Sequence, residues 1–267
     1  MAQPASSEMV ERIKRAYGFW NCDEPDLMVD EYAEDGELDF SHVFTGMPVF
    51  RGHDSMRRQI DELWETWEGV RMDPLEVLDI GEGQFIVDLR FWGKGRRSGV
   101  EIDQRSAFLY TLRASDGKVV RAQLFPTVQA AMDHAEARSR NVEMVRRQAD
   151  AVNRRDVDAV LSDMDSEIEF IPQRAAVQGT YHGHQGVREF LADTFETFDL
   201  FEATNEEIHD LGDRIVSIGK LRIRGKGGGV EVTVPTAIVL ALRNGKIVRF
   251  EDFSERSKAL EEVGLLR

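Results

Sequence analysis

The chain has 267 residues, of which 42% are hydrophobic and 31% charged, the balance of a folded globular protein rather than a disordered or membrane-embedded one. Its 34 basic and 49 acidic residues give a net charge of −15, so it repels the phosphates of nucleic acids and of anionic membranes, and we expect neither as a partner. The single cysteine, Cys22, excludes an internal disulfide, and no cysteine or histidine cluster has the spacing of a metal finger, so we expect no metal.

The N-terminal segment, MAQPASSEMVERIKRAYGFW, has no uninterrupted apolar run like that of a signal peptide. No stretch of the chain approaches the roughly 20 apolar residues that a transmembrane helix needs. These two features predict a soluble, cytoplasmic protein.

The predicted elements of the first half are helices followed by strands. Apolar residues at helical spacing predict an amphipathic helix over Met9–Asn21, and a second, short helix over DLMVDEYAED. A short strand, ELDF, follows, and a third helix starts after the Gly-His pair of FRGHD. The segments PLEVLDIGEG, QFIVDLRFWG, SGVEIDQRSAFLYTLR and KVVRAQLF then read as strands.

The second half repeats this order. Phe50–Trp67 (FRGHDSMRRQIDELWETW) aligns with Tyr181–Phe198 (YHGHQGVREFLADTFETF), and Gly99–Arg113 aligns with Gly229–Arg243. The beginnings also agree, with GELDF opposite SEIEF. Such self-similarity indicates one domain written twice. We predict domains at residues 1–135 and 140–267, joined by a polar, helical linker near HAEARSRNVE.

Two glycine-rich segments, GKGRRSGVEID and GKGGGVEVT, occupy matching places in the two halves. A phosphate-binding loop would need a helix directly after its glycines. Both segments lie between predicted strands instead, which favours β-hairpin turns over a nucleotide site. RNGK, between the last two strands, is a type I′ turn signal. Helices followed by an antiparallel meander predict an α+β fold in which the sheet curls around the helices.

The order of elements, the Gly-His start of the third helix and the ending RFEDFSERSKALEEVGL resemble the SnoaL-like branch of the nuclear-transport-factor-2 (NTF2) superfamily. The resemblance implies two cone-shaped α+β barrels, each with three helices packed in a curved antiparallel sheet around an apolar pocket. It also implies chemistry without a metal or organic cofactor. Members often pair through the outer face of the sheet, so the two copies could form an internal pseudo-dimer, in a protein that is otherwise a monomer or a homodimer.

Cofactor-free acid-base chemistry in such a pocket needs a base and a donor for the developing oxyanion. The resemblance places the isomerase base at Phe40 in the first copy and Phe170 in the second, and the isomerase acid near Phe108 and Ile238. Because none of these four residues is ionisable, ketosteroid-type isomerisation is not expected. Phe40 and Phe170 are expected instead to line the two pockets.

The last strand of the second copy offers a candidate acid-base pair. Side chains alternate along a strand, so Arg249, Glu251 and Phe253 share one face, and the resemblance suggests that this face is concave. Glu251 would then be the general base and Arg249 would stabilise negative charge. The alternative is that both lie on the outer face in an ion-pair network.

The first copy carries different residues at these positions, namely Arg121, Gln123 and Phe125, which would line its pocket. Glutamine cannot act as a general base, so the second copy is the better candidate active site. Tyr17 and His182 occur in one copy each and are secondary candidates. Tyr17 is either a hydroxyl donor or a packing residue, and His182 could reach the pocket mouth.

Two hypotheses about function remain open. In the first, the protein is a cofactor-independent SnoaL-like cyclase, isomerase, lyase or epoxide hydrolase that acts on a hydrophobic polyketide or terpenoid intermediate. In the second, it is a non-catalytic protein that binds a small molecule or serves as a scaffold. An apolar pocket, with Glu251 outside it, would favour the second hypothesis.

Overall fold

A computed structural model describes residues 2–22, 24–173 and 179–265. The chain divides into two compact units, Met1–Ala135 and Glu136–Arg267. Within the described residues, none of the helices combines the length and the apolarity that crossing a membrane takes.

The first unit begins with helices that have clear local causes. The Ser6 hydroxyl accepts a hydrogen bond from the backbone N–H of Met9 and so caps the first helix, and Pro25 starts the second helix where no N–H is needed. The elements, in chain order, are β1 (Gln3–Pro4), α1 (Ser7–Asn21), α2 (Pro25–Val29), β2 (Tyr32–Asp39), β3 (Phe50–Arg51), α3 (His53–Thr66), β4 (Trp67–Gly81), β5 (Gln84–Gly95), β6 (Glu101–Leu112) and β7 (Val119–Phe125).

The second unit repeats this order, with Asp156 capping its short helix by accepting from the N–H of Ala159. Its elements are the C-terminal half of α4 (Val128–Asn153), then α5 (Val157–Ser162), β8 (Met164–Ile171), β9 (Tyr181–His182), α6 (Gly183–Thr197), β10 (Phe198–Asp210), β11 (Arg214–Gly225), β12 (Val232–Arg243), β13 (Lys246–Phe253) and α7 (Arg256–Glu262).

Helix α4 runs without a break through the segment predicted as a helical linker and into the predicted opening helix of the second copy. The sequence from 128 to 153 contains neither glycine nor proline, so no residue there stops the helix.

Each unit has one mixed sheet. The strand orders are β1-β4-β5-β6-β7-β2-β3 and β10-β11-β12-β13-β8-β9, and the long strands pair antiparallel while β2 and β8 pair parallel with β7 and β13. Both glycine-rich segments join antiparallel neighbours, β5 to β6 and β11 to β12, which confirms the hairpin interpretation. Asn244 and Gly245 have φ of 53° and 74°, as a type I′ turn requires.

The two faces of each sheet carry different apolar clusters. In the first unit the inner face packs on α1–α3 through residues such as Tyr17, Met56 and Phe108. The outer face packs on the start of α4 through another cluster that includes Leu109 and Phe125. In the second unit α4–α6 cover the inner face and α7 covers part of the outer face. The α+β prediction, with helices wrapped by a curled sheet in each copy, is confirmed.

The register of the short strands corrects one part of the predicted alignment. Glu37 lies opposite Arg51 on β3 and beside Arg121 on β7, whereas Glu169 lies opposite His182 and beside Arg249. Glu169 is therefore the counterpart of Glu37. By the same register Phe170 corresponds to Leu38 rather than to Phe40. The offset is two residues, so each side chain stays on the predicted face.

Candidate functional site

The first unit contains a cavity of about 540 Å³ between helices α1–α3 and the inner face of the sheet. Phe40 lies in its wall together with Phe108 and Leu124, as expected for the pocket of a curled sheet. Phe40 also contacts Phe108 edge-on, with ring centroids 6.2 Å apart. A cavity of this volume is in the range that accommodates small organic ligands.

The cavity has a buried inner end and an open mouth. Trp20, Met56 and Leu89 at the inner end are 4%, 1% and 1% exposed. Glu62 and Phe44, which also line the cavity, are exposed and form its mouth. An apolar ligand would therefore lose most of its contact with water while one end stays near solvent.

The polar groups of the wall are few. Beyond aromatic residues with a single polar atom, they lie on α3 and on β6, and they are Gln59, Glu62, Thr66, Gln104 and Ser106. Among the described residues that line the cavity there is no lysine, arginine or histidine, and Glu62 is the one carboxylate. The wall thus offers hydrogen bonds but no counter-ion for an anion.

Tyr17 lies beside this cavity rather than in its described wall. It is 1% exposed, and its hydroxyl is 2.7 Å from the hydroxyl of Tyr110. Burial raises the pKa of Tyr17 and Tyr110, and also that of the nearby buried Tyr32. The Tyr17 hydroxyl is therefore already paired inside the protein, as expected if Tyr17 is a packing residue. Its role as a ligand donor stays a prediction.

The last strand of the second unit does not present the predicted acid-base pair to the interior. Phe250 packs with the inner cluster and stacks on Phe170 at 4.3 Å, whereas Phe253 belongs to the outer cluster under α7. Because side chains alternate, Arg249 and Glu251 point to the outer face with Phe253. The prediction of a concave Arg249–Glu251 pair is wrong.

Arg249 and Glu251 instead form the predicted alternative, an ion-pair network on the outer face. An Arg249 nitrogen lies 2.8 Å from a Glu251 carboxylate oxygen, and Arg249 also pairs with Glu169. The hydrogen bond to Glu251 is the first cause of a raised pKa at Arg249. His182 lies opposite Glu169 on the edge strand β9 and is exposed. It lies on this outer face, and its reach to a pocket mouth stays a prediction.

The matching residues of the first unit also face outward. Ala122 and Leu124 belong to the inner cluster, so Arg121, Gln123 and Phe125 alternate to the other side, where Phe125 packs on α4. The prediction that these three line the pocket is wrong for the same reason of strand parity.

Gln123 is 2% exposed, and its amide lies 3.3 Å from the buried carboxylate of Asp39. Burial opposes the charge of Asp39, but hydrogen bonds from Ser41 keep the pKa of Asp39 below its ordinary value. The contact between Asp39 and Gln123 joins the C-terminal ends of β2 and β7.

Asp252 is a carboxylate that the structure places on the inner face of the second unit. It lies directly opposite Ile238, which packs with the inner cluster. Its carboxylate accepts a hydrogen bond of 3.1 Å from the side-chain amide of Gln173. Burial disfavours the charged form and raises the pKa of Asp252 to about 6. A carboxyl group with such a pKa can take up and release a proton near neutral pH.

Sequence reasoning overlooked Asp252, because the sequence does not distinguish its face of the strand from that of Glu251. The ending FEDF alternates, so choosing Glu251 for the inner face excludes Asp252, and choosing Asp252 excludes Glu251. Phe250 and Phe253 flank the pair on opposite faces, so neither aromatic residue identifies the inner face from the sequence alone.

The two histidines at the start of the third helix of each copy have equivalent structural roles. The imidazole Nε2 of His53 lies 3.1 Å from the carbonyl oxygen of Tyr32, and that of His184 lies 3.2 Å from the carbonyl oxygen of Met164. Within residues 2–22, 24–173 and 179–265, no group of three or more His, Cys, Asp or Glu side chains is placed to hold a metal ion.

Solved structures provide comparisons with single units. An NTF2-like protein of unknown function from Burkholderia pseudomallei is 26% identical over 46% of this chain and 95% of its own, with a TM-score of 0.40. TerC, co-crystallised with polyporic acid, is 26% identical over 46% and 96%, also at 0.40. A putative SnoaL-like polyketide cyclase from Shewanella putrefaciens is 18% identical over 44% and 88%, at 0.38. No curated protein matches this chain.

The sequence model of the SnoaL-like domain matches two segments, residues 13–122 and 145–250. These segments fall one in each unit and together cover most of the chain. Each contains the helices and the curled sheet of an NTF2-like fold. The chain therefore belongs to the SnoaL-like domain family and consists of two tandem copies of that domain.

Proposed function

We propose that the protein binds a mid-sized hydrophobic small molecule in the cavity of its first unit. The observation that carries this proposal is the cavity of about 540 Å³ with a predominantly apolar wall. Burying apolar ligand surface there contributes roughly 25 cal/mol for each Å² removed from water. The SnoaL-like resemblance adds polyketide and terpenoid intermediates as the ligand classes to test first.

The second unit supplies a variant that tests the proposal. Gln59 lines the cavity from α3, and the repeat places Phe190 at the same position of the second unit. Gln59→Phe should fill the cavity with the side chain that the other copy already accommodates. Titration with Nile red, a neutral apolar dye, should show at least tenfold weaker binding to this variant than to the wild type.

Two results would contradict the binding proposal. One is the absence of saturable Nile red binding to the folded wild-type protein, and the other is unchanged binding to Gln59→Phe. Arg58→Gln is the matched control, because Arg58 is exposed on the same helix and is not among the lining residues. Its affinity should equal that of the wild type.

Acid-base catalysis in the second unit is a second candidate function, and the position of Asp252 favours it. A half-buried carboxyl group with a pKa of about 6, on the inner face of a SnoaL-like domain, suits removal of a proton next to a carbonyl group. A general base of this kind typically contributes about 10² to 10⁴ in rate.

Hydrogen exchange into an apolar ketone tests this second function without knowledge of the natural substrate. Wild-type protein should accelerate deuterium incorporation next to the carbonyl of 2-tetralone in D₂O, with a rate that rises through pH 6. Asp252→Asn should reduce the acceleration at least a hundredfold, and Glu251→Gln should retain it. Equal rates in the wild type and Asp252→Asn would exclude Asp252 as the base.

A further inference from the structure

Glu62 places a carboxylate at the mouth of the cavity in the first unit. Gln59, Glu62 and Thr66 line the cavity at helical spacing, so Glu62 lies on the face of α3 that borders the cavity. Glu62 is exposed, and its side chain therefore also meets solvent. A charged group in this position can contact the outer end of a ligand whose apolar body lies inside the cavity.

The charge of Glu62 is not neutralised by a basic side chain. In the part of the chain that the structure describes, no lysine, arginine or histidine forms an ion pair with Glu62, and this includes Arg58, one turn earlier on α3. Arg57 on the same helix pairs with Asp26. Arg96, which follows β5, donates to a backbone carbonyl oxygen of α3. The carboxylate of Glu62 is therefore available to a ligand.

The rest of the wall also favours a cation over an anion at the mouth. The described lining residues include no basic side chain, so an anionic group would lose hydration without gaining a counter-ion. Phe44, 49% exposed, and Trp67, which directly follows α3, add aromatic rings to the same wall, and aromatic faces attract cations. The net charge of −15 adds a field that attracts cations to the protein as a whole.

We infer that the cavity selects an amphiphilic amine, whose apolar body lies inside and whose protonated amino group lies at the mouth and pairs with Glu62. This inference rests on the proposed binding function, and it adds the charge of the ligand, its orientation and a residue that determines specificity. An ammonium group at the mouth keeps part of its hydration, whereas at the apolar inner end it would lose that hydration. The amine therefore points outward.

Three naphthalene probes with different terminal groups test the inference. They are 2-(2-naphthyl)ethylamine, 2-(2-naphthyl)ethanol and 2-naphthylacetate, which are closely matched in size and are cationic, neutral and anionic at neutral pH. Competition against Nile red at low salt measures their affinities. Wild-type protein should bind the amine about threefold to fivefold more tightly than the alcohol, the effect of one partly exposed ion pair, and the carboxylate most weakly.

Glu62→Gln removes the charge and keeps the size of the side chain. This variant should bind the amine and the alcohol with nearly equal affinity, and its affinity for the alcohol should stay within about twofold of the wild-type value, because the alcohol forms no ion pair. Asp61→Asn is the matched control. Asp61 is exposed on the same helix, is not among the lining residues, and its substitution changes the net charge by the same amount. Asp61→Asn should keep the preference for the amine.

Charge reversal at the same two positions is a second test. Glu62→Lys should bind the carboxylate more tightly than the wild type does and the amine more weakly, because the lysine supplies the missing counter-ion. Asp61→Lys should keep the wild-type order of the three probes. Both positions are exposed, so neither substitution removes a core contact.

The outcomes separate the inference from the function on which it rests. Absence of saturable binding of Nile red and of all three probes would overturn the binding function itself. If the probes bind but the wild type does not prefer the amine to the alcohol, or if Glu62→Gln keeps that preference, the binding function stands and the role of Glu62 is overturned. Loss of the preference in Asp61→Asn would show that the net charge selects the amine, and it would likewise overturn the role of Glu62.

Discussion

The two units have the same fold, yet they fill the space between helices and sheet differently. In the second unit Phe170 stacks on Phe250, and Phe190 packs on Phe170 with ring centroids 4.9 Å apart. By strand register the first unit has Leu38 and Ala122 at the positions of the stacked pair. The smaller side chains leave room that the aromatic residues occupy in the other copy.

The same comparison separates the chemistry of the units. The first has a cavity with hydrogen-bonding groups, and the carboxylate among its described lining residues, Glu62, lies at the mouth. The second has Asp252 on its inner face, where the repeat places Leu124 in the first. Because each copy has its own core, duplication allows the interiors of the two copies to differ.

Phe190→Gln should produce the largest loss of stability, because it removes an aromatic ring that packs on Phe170 and Tyr181 in the inner cluster of the second unit. We expect the second unit to lose about 2 to 4 kcal/mol in the free energy of unfolding. All four tryptophans lie in the first unit, so fluorescence reports that unit and far-ultraviolet circular dichroism reports both. In urea unfolding, Phe190→Gln should move the transition seen by circular dichroism to lower urea concentration and leave the transition seen by fluorescence unchanged. A shift of the fluorescence transition alone would contradict the assignment of Phe190 to the core of the second unit.

Asp252→Asn should stabilise the second unit at neutral pH. The pKa of Asp252 is raised from 3.8 to about 6, so folding favours the protonated form, and wild-type stability falls as pH rises from about 4 to 6. Asparagine avoids this loss, which is at most about 3 kcal/mol at 1.36 kcal/mol for each pKa unit. Urea unfolding of both proteins at pH 4 and pH 7.5 measures it. A difference that is the same at both pH values would contradict burial of the charge.

Tyr17→Phe should destabilise the first unit by about 1 to 2 kcal/mol, since the buried Tyr110 hydroxyl loses its hydrogen bond with Tyr17. The second unit has Leu240 at the position of Tyr110, so this hydroxyl pair belongs to one copy alone. Urea unfolding followed by tryptophan fluorescence measures the loss. Unchanged stability would show that water replaces the missing hydroxyl.

Glu251→Gln should have the smallest effect. The Arg249–Glu251 ion pair is partly exposed, and such pairs contribute about 0.2 to 1 kcal/mol. Nile red affinity should equal that of the wild type. Weaker Nile red binding would mean that a residue on the outer face affects the binding site, which the position of Glu251 on that face does not predict.

Much of the fold was predictable because it depends on periodicities in the sequence. The helical spacing of the helices, the Asn244–Gly245 turn and the self-similarity of the two halves are local signals, and the structure confirms them. The extent of α4 was predictable in principle, since the linker contains no residue that ends a helix.

The candidate site was less predictable, because its residues come from elements distant in the chain. Alternation showed that Arg249, Glu251 and Phe253 share a face, but it is symmetric with respect to the two faces of a sheet. The contact of Phe253 with α7 and of Phe250 with Phe170 decided which face is inner. The two-residue register difference in β8 was also not visible, because both alignments keep the same side chains inward.

The sequence by itself determined that the protein has two copies of an α+β domain, since hydrophobic periodicity, turn residues and repeat length are properties of neighbouring residues. Only the tertiary structure decided that the first copy holds a cavity with Trp20 at its inner end and that Asp252, rather than Glu251, faces inward. Cavities and faces depend on how side chains from separate elements fill a shared volume.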